Sequence, residues 1–372
     1  MKPGFPVEPD FDAQRRHFLH AAQAAGATVT TYAHPLKGPN GEALATDVAW
    51  LGNAAAPRVL VAISGTHGVE GYYGSTCQTQ WLHELAARTL PDDVAVMMVH
   101  LINPWGTAWV RRVNEDNVDL NRNYVDFGAP LPVNARYEAL HDIYACRDID
   151  GPQRREADAR LAQQIESLGW PGVQAIVGAG QYRPPDGLFY GGQAPTWSNR
   201  TLHEIVQRFL KKTQVAISFD LHTGAGAFGH PMLMAIAQSA YPALADAQRL
   251  YGPWLYTLLT HADAAISETG VVARATGYAS QALLDALPDT HLMQLVIECG
   301  TYPEAPMHAA LRDDHWLHLY GDPRDARGRA ISRALFEQFL PADADWHELV
   351  WMRTWQIWER ALAALPGIAQ KM

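Results

Sequence analysis

The chain has 372 residues, of which 48% are hydrophobic and 18% charged, room for one large α/β domain or two smaller ones. Its net charge of −10 argues against a general nucleic-acid binder, which presents a basic face. No run approaches the roughly eighteen apolar residues that would propose a membrane span. The three cysteines, Cys77, Cys146 and Cys299, are odd in number and lack CxxC spacing, so neither a disulfide framework nor a cysteine zinc site is expected.

The opening stretch MKPGFPVEPDFDAQRR lacks the apolar segment of a secretory signal, and a cytoplasmic address is the expectation. FDAQRRHFLHAAQAAGA (11–27) reads as a helix closed by Gly26. TVTTYAH and ATDVAWLG read as strands with turn residues GPNGE between them. APRVLVAISG (56–65) is a continuous apolar run bounded by Pro57 and Gly65, the pattern of a strand buried on both faces. The helical periodicity of YYGSTCQTQWLHELAAR follows, then a second buried strand, DVAVMMVHLIN (93–103).

Residues 103–198 are rich in Pro, Gly, Asn and Asp and too long for a plain connection. Ligand-contacting loops are expected there, with a helix around 134–167 interrupted near Gly151. The stretch QYRPPDGLFYGGQAPTWSN (181–199) reads either as a wall or lid over a cleft or as irregular surface packing. SNRTLHEIVQRFLKK reads as a helix capped by Ser198 or Asn199, feeding the apolar strand TQVAISFDLH (213–222). SAYPALADAQRLYGPWLYTLL reads as helix, and HLMQLVIECGT (291–301) as a fourth buried strand. Two further helices, DARGRAISRALFEQFL and WHELVWMRTWQIWERALAAL, close the chain, the tryptophans of the last packing on the body. Buried strands alternating with helices predict an α/β fold with a mostly parallel, mixed central sheet covered by helices on both faces. No linker composition marks a second domain, so one domain over residues 1–372 is expected.

Polar residues gather just past the carboxyl ends of the buried strands. His67 and Glu70 follow the strand ending at Gly65, and Arg111, Arg112 and NEDNVDLNRN follow the one ending near Asn103. Asp220 and His222 end the third strand and Glu298 the fourth. In open α/β sheets the ligand crevice lies outside these ends, so four strands aim polar groups at one cleft. Zinc hydrolysis needs three His or carboxylate ligands and one open position, which His67, Glu70 and His222 would supply as a His₂Glu set, with Asp220 orienting a ligand from behind. Taken singly, each has a blander reading: a polar turn for HxxE, a strand-end cluster for DLH, an Arg122–Asp119 ion pair within DLNRN. Cys299 reads as a small buried residue, since strand neighbours face opposite ways. Ser64 is not in G-x-S-x-G, so no nucleophile elbow is expected. The histidines of DDHWLHLYGD (313–322) are a competing metal cluster, read as surface or core histidines.

In order along the chain, GTHGVEG, NPWGTAWVRR, NVDLNRN, DLHTG and IECGT resemble the zinc carboxypeptidase superfamily, which includes the metallocarboxypeptidases and the aspartoacylase and succinylglutamate desuccinylase branch. The likeness is greatest to a poorly characterised bacterial carboxypeptidase-like group. It covers core motifs over residues 57–302, leaving 303–372 as a helical C-terminal extension, and it implies a zinc-carboxypeptidase-like fold. It also implies one Zn²⁺ per chain on His67, Glu70 and His222, with Glu298 as general base. Arg112 would polarise the scissile carbonyl, with Arg111 beside it leaving that assignment open by one residue. Asn121 and Arg122 match the pair that holds a substrate carboxylate, and Tyr278 lies near the place of a mobile substrate-binding tyrosine. The implied activity is hydrolysis of an amide next to a carboxylate-bearing residue, carboxypeptidase-like on small peptides or peptide-like amides. An N-acyl amino acid deacylase and a non-catalytic binding module are the alternatives. No nucleic-acid or membrane partner is expected, and the oligomeric state is not legible.

Overall fold

The computed structural model describes residues 4–260 and 275–369. In chain order its elements begin α1 (Phe11–Ala24), β1 (Thr28–Lys37), β2 (Ala43–Gly52), β3 (Arg58–Ser64), α2 (Gly71–Leu85) and β4 (Val94–His100). Next come α3 (Pro104–Ala108), α4 (Ala135–Glu138), α5 (His141–Tyr144), α6 (Pro152–Gly178), α7 (Trp197–Phe209), β5 (Val215–Gly224) and β6 (Pro231–Ala237). The rest are α8 (Leu244–Tyr251), β7 (Leu255–Leu259), α9 (Ala279–Ala286), β8 (His291–Gly300), α10 (Glu304–Tyr320), α11 (Ala326–Phe339) and α12 (Ala344–Ala364).

Among the described residues eight strands form one mixed sheet in the order β1-β2-β4-β3-β5-β8-β6-β7. Its centre is parallel, β4-β3-β5-β8, while β1, β2 and the β6–β8 pairing are antiparallel. Alternate residues of the central strands feed two cores. Leu60, Val96, Ile217, Phe219 and Leu295 pack with α1, α2, α8, α11 and α12 on one face. Val61, Met97 and Ala216 pack with α7 and α9 on the other. Both faces are covered, as the unbroken apolar runs predict. Trp346 and Trp358 of α12 are fully buried in the first core. No helix among the described residues is long and apolar enough to cross a membrane.

Several sequence expectations change. The segment read as one helix over 239–259 is α8 followed by strand β7, because Gly252, at φ +60°, and Pro253 stop the helix. β7 then pairs parallel to β6 at the sheet edge, and β6 itself was not foreseen. The cap of α7 is Thr196, whose hydroxyl accepts from the Asn199 N–H, not Ser198 or Asn199. Within 103–198, the helix expected to end near 167 runs on to Gly178 as α6, kinked at Gly169, which takes φ +70°. It begins just past Gly151, the predicted break.

Candidate active site

The carboxyl ends of β3, β5 and β8 lie side by side, and β5 and β8 pair so that His222 stands opposite Glu298. Asp220 and His222, two residues apart, share one face of β5. Cys299 falls on the other face of β8, in the core cluster beside Tyr73. The loop after β3 is fastened to the arginine segment by backbone bonds, Gly68 N–H to Arg112 O (3.1 Å) and Val69 N–H to Arg111 O (2.8 Å). A Cβ on Gly68 would lie 2.0 Å from the Gly106 carbonyl carbon, so the close approach admits only glycine.

His67 Nδ1 lies 2.8 Å from one Glu70 oxygen and His222 Nδ1 2.9 Å from the other. The opposite ring nitrogens are held by carboxylates, His67 Nε2 by Asp119 (3.1 Å) and His222 Nε2 by Asp220 (2.9 Å). Thr66 Oγ1 donates to the second Asp220 oxygen at 2.8 Å. Metal-binding histidines are held in this way, with a carboxylate on the far nitrogen fixing ring angle and tautomer. One donor atom from each of His67, Glu70 and His222 lies within 4.8 Å of the others. Tetrahedral ligation at bonds of ~2.0–2.1 Å needs donors about 3.3 Å apart, a change small side-chain rotations supply. The residues therefore fit a zinc ion chemically and spatially. Among the described residues this is the group with such a geometry.

The electrostatics are those of a site short of positive charge. Burial opposes ionisation of Glu70, yet the charges and hydrogen bonds of His67 and His222 hold its carboxyl well below the usual range. Burial likewise opposes charge on His222, but Asp220 and Glu70 hold it well above an ordinary imidazole. Glu298 goes the other way: burial, then repulsion from Glu70, pushes it up to about 7. The Ala225 N–H donates to its Oε1 at 2.9 Å. A carboxyl group poised near neutrality beside a metal-fitting set suits proton transfer in both directions.

The adjacent arginines separate. Arg111 is buried in an ion pair with Asp314 (3.2 Å) and does not line the cavity. Arg112 does, with Nε on Asp119 (3.0 Å) and Nη1 on Glu70 (3.2 Å). Among the described residues its remaining terminal nitrogen makes no hydrogen bond. The Arg122–Asp119 pairing weighed from the sequence is absent among the described residues. Arg122 Nη1 instead donates to Asn121 O at 2.7 Å and Nη2 to Gly178 O, with Nε buried and unpartnered. Asn121 Oδ1 accepts the Ala279 N–H (3.0 Å), leaving its amide nitrogen for the cavity it lines. Tyr278 stacks against the Arg122 guanidinium, 5.2 Å from ring centre to Cζ. A Cβ on Gly277, at φ +84°, would lie 2.5 Å from Arg122 O, so the turn before Tyr278 is pressed directly on the arginine.

Asp119 has a role the sequence reading missed, bracing His67 and Arg112 at once. The signal was present, since its place two residues before Asn121 in DLN puts its side chain at the start of a 3₁₀ turn, where it accepts the Asn121 N–H. The histidines near 315 do not form a metal set. His315 Nε2–H donates to Asp186 O (2.8 Å), and His318 lies 3.5 Å from Asp314. All eight residues put forward for the site, His67, Glu70, Arg112, Asn121, Arg122, His222, Tyr278 and Glu298, line one cavity of about 490 Å³. From the stretch 181–199, Phe189 contributes a wall, 5.0 Å from the Arg112 guanidinium. Two helix faces close the rest: Pro171, Gln174 and Val177 of α6, and Glu304, Met307 and His308 of α10. Both lay outside the motifs.

A family model described as "Protein of unknown function (DUF2817)" matches residues 8–353. No curated protein matches the sequence. Among solved structures the chain is similar to the carboxypeptidase A from Helicoverpa armigera (14% identity, 93% of this chain and 72% of that one, TM-score 0.44). It is also similar to bovine thrombin-activatable fibrinolysis inhibitor in complex with tick carboxypeptidase inhibitor (11% identity, 93% and 99%, TM-score 0.42). A third likeness is the succinylglutamate desuccinylase from Chromobacterium violaceum (14% identity, 90% and 75%, TM-score 0.38).

Proposed function

The chain belongs to the DUF2817 family, and from that premise we propose that it is a zinc-dependent hydrolase, carboxypeptidase-like, cleaving an amide next to a carboxylate-bearing residue of a small peptide. The observation that carries this reading is the placement of Glu298, directly opposite His222 in the sheet, in one cavity with the His67–Glu70–His222 set and two arginines. A binding module has no use for a carboxyl group held near neutrality beside a metal-fitting set.

His67, Glu70 and His222 would hold the ion. When bound, zinc supplies Lewis acidity that makes water nucleophilic at neutral pH. Glu298 takes the proton of the attacking water and returns it to the departing amine. Arg112, its Nε locked on Asp119, donates its free terminal N–H to the oxygen that gains charge; such a donor contributes about 2.7–4 kcal/mol. The terminal nitrogens of Arg122 carry four N–H bonds between them; beyond those given to Asn121 O, Gly178 O and Tyr278, a terminal N–H remains for a substrate carboxylate, in a charge-assisted contact. The Asn121 amide adds a donor, and Tyr278 keeps water from the guanidinium face.

The test is a panel on zinc-loaded protein: peptides with a free C-terminus, the same peptides C-terminally amidated, and N-acyl amino acids. The reading expects the first to be cleaved best and amidation to abolish cleavage. Preferred cleavage of N-acyl amino acids would move the assignment to a deacylase. No turnover of any of them, with zinc bound, would leave a binding module.

A further inference from the structure

The catalytic cavity has a second polar end that the mechanism leaves unused. Arg122 is held at the C-terminal residue of α6 through Gly178 O. Eight residues earlier on that helix, Trp170 meets the ring of His308 at 5.0 Å. At 1.5 Å of rise per residue this separates the two places by about 12 Å. Between them Gln174 lines the cavity, and across it Glu304 and His308, one helical turn apart, line it from α10.

These groups are unspent. None of the ion pairs among the described residues takes up Glu304. His308 is only 8% exposed, and among the described residues its Nε2 has no hydrogen-bond partner. Burial, with Arg312 and Arg154 nearby, lowers its pKa to about 4, so at neutral pH one ring nitrogen is an acceptor. Those two arginines are already engaged by Asp158 and Asp313, which leaves Glu304, in the first turn of α10, as the cavity-lining carboxylate at this end that has no ion-pair partner among the described residues. Met307, between Glu304 and His308, packs against Gly224 just past His222, so this face of α10 passes the metal-fitting set on its way from the far end.

We propose that Glu304, His308 and Gln174 form a subsite for the free α-amino group of a short, unblocked peptide, whose carboxylate lies at Arg122. A chain advancing 3.3–3.6 Å per residue, with a hydrogen bond at each end, fits the ~12 Å span with about two or three residues. The cavity is cationic where the substrate is anionic and anionic where it is cationic, which selects zwitterionic di- and tripeptides over internal segments and N-blocked chains. The inference rests on the carboxypeptidase-like reading only for the placement of the carboxylate end.

The test is calorimetric titration of the metal-free protein, which separates recognition from turnover. The probes are Ala-Ala-Phe, N-acetyl-Ala-Ala-Phe and Ala-Ala-Phe amide. In the native chain, acetylation is expected to weaken binding about tenfold or more, the size of a charge-assisted pair. Glu304→Gln should bring the free peptide down to the acetylated one and leave the acetylated one within about twofold. His308→Gln should weaken the free peptide alone by several-fold. Equal binding of free and acetylated peptides by the native chain, or discrimination that survives Glu304→Gln, overturns the subsite. Amidation reads the other end: an amide that binds as tightly as the acid overturns the carboxypeptidase-like reading while the acetylation arm still judges the subsite. No binding by any of the three overturns both.

Discussion

Two buried clusters in this molecule draw on the same residue types and end in opposite states. At the carboxyl ends of β3 and β5, His67 and His222 each lie between two carboxylates. On α10, His315 and His318 share their surroundings with Arg111 and a single carboxylate, Asp314. The first environment pulls protons or a cation in, and Asp220 and Glu70 raise His222 well above an ordinary imidazole. The second expels charge: burial and then Arg111 lower His315 to about 3 and His318 well below its ordinary value. Histidine beside aspartate is thus no site in itself. Excess negative charge, converging donor atoms and an open cavity separate the first cluster from the second.

The comparison breaks most sharply on metal. Protein purified without added zinc is expected to hold about one ion per chain by elemental analysis. His67→Ala or His222→Ala should lose it together with turnover, while His315→Ala and His318→Ala keep it. Zinc retained by His222→Ala would place the ion elsewhere.

Next in size, Glu298→Gln should keep the metal and lose at least about two orders of magnitude in kcat. The same substitution has an opposite effect on stability. In the metal-free fold Glu298 sits at about 7 against an ordinary 4.5, so the folded chain holds its proton more tightly than the unfolded one. The associated stability is fully present below about pH 4.5 and is lost as pH rises through 7. Metal-free Glu298→Gln should therefore melt higher than the native chain at pH 8, with the gap closing towards pH 4.5. An unchanged melting difference across that range would contradict the strained carboxylate.

Arg112→Ala, removing one oxyanion donor, should cost roughly 10²–10³ in kcat with little change in KM. Arg122→Lys keeps the charge but not the planar fork, and a rise in KM for free-acid peptides is its expected signature. In the other cluster, Asp314→Asn leaves the Arg111 guanidinium buried without its counter-charge. A loss of about 3–5 kcal/mol in denaturant unfolding is expected, with metal content unchanged. A destabilisation under 1 kcal/mol would mean that water reaches Arg111.

Much of this was legible beforehand. Unbroken apolar runs at 56–65, 93–103, 213–222 and 291–301 announced the four central strands, because a strand covered on both faces must be apolar throughout. The polar residues just beyond them marked the cleft. The edge of the sheet was harder to read. LYTLL extends the helical pattern of 239–251 in sequence, but Gly252 and Pro253 stop the helix before it, and its strand state comes from pairing with β6. The choice between Arg111 and Arg112 was likewise closed to the sequence. Neighbours in a turn differ only in direction, and direction here is set by Asp314, 203 positions away.

Residue identity and spacing determined the α/β class and the strand-end convergence, since period and local order depend on neighbours along the chain, whereas Asn121, Arg122, Tyr278 and the role of Arg112 came only from the resemblance of the motifs to a known family. Only the tertiary structure decided that Asp119 braces His67 and Arg112 together, that Arg122 rests on backbone carbonyls, and that α6 and α10 close the cavity with Gln174, Glu304 and His308. Those facts depend on which distant surfaces pack together. A helix face presents the same residues whether it meets solvent, a core or a substrate, and only packing chooses among them.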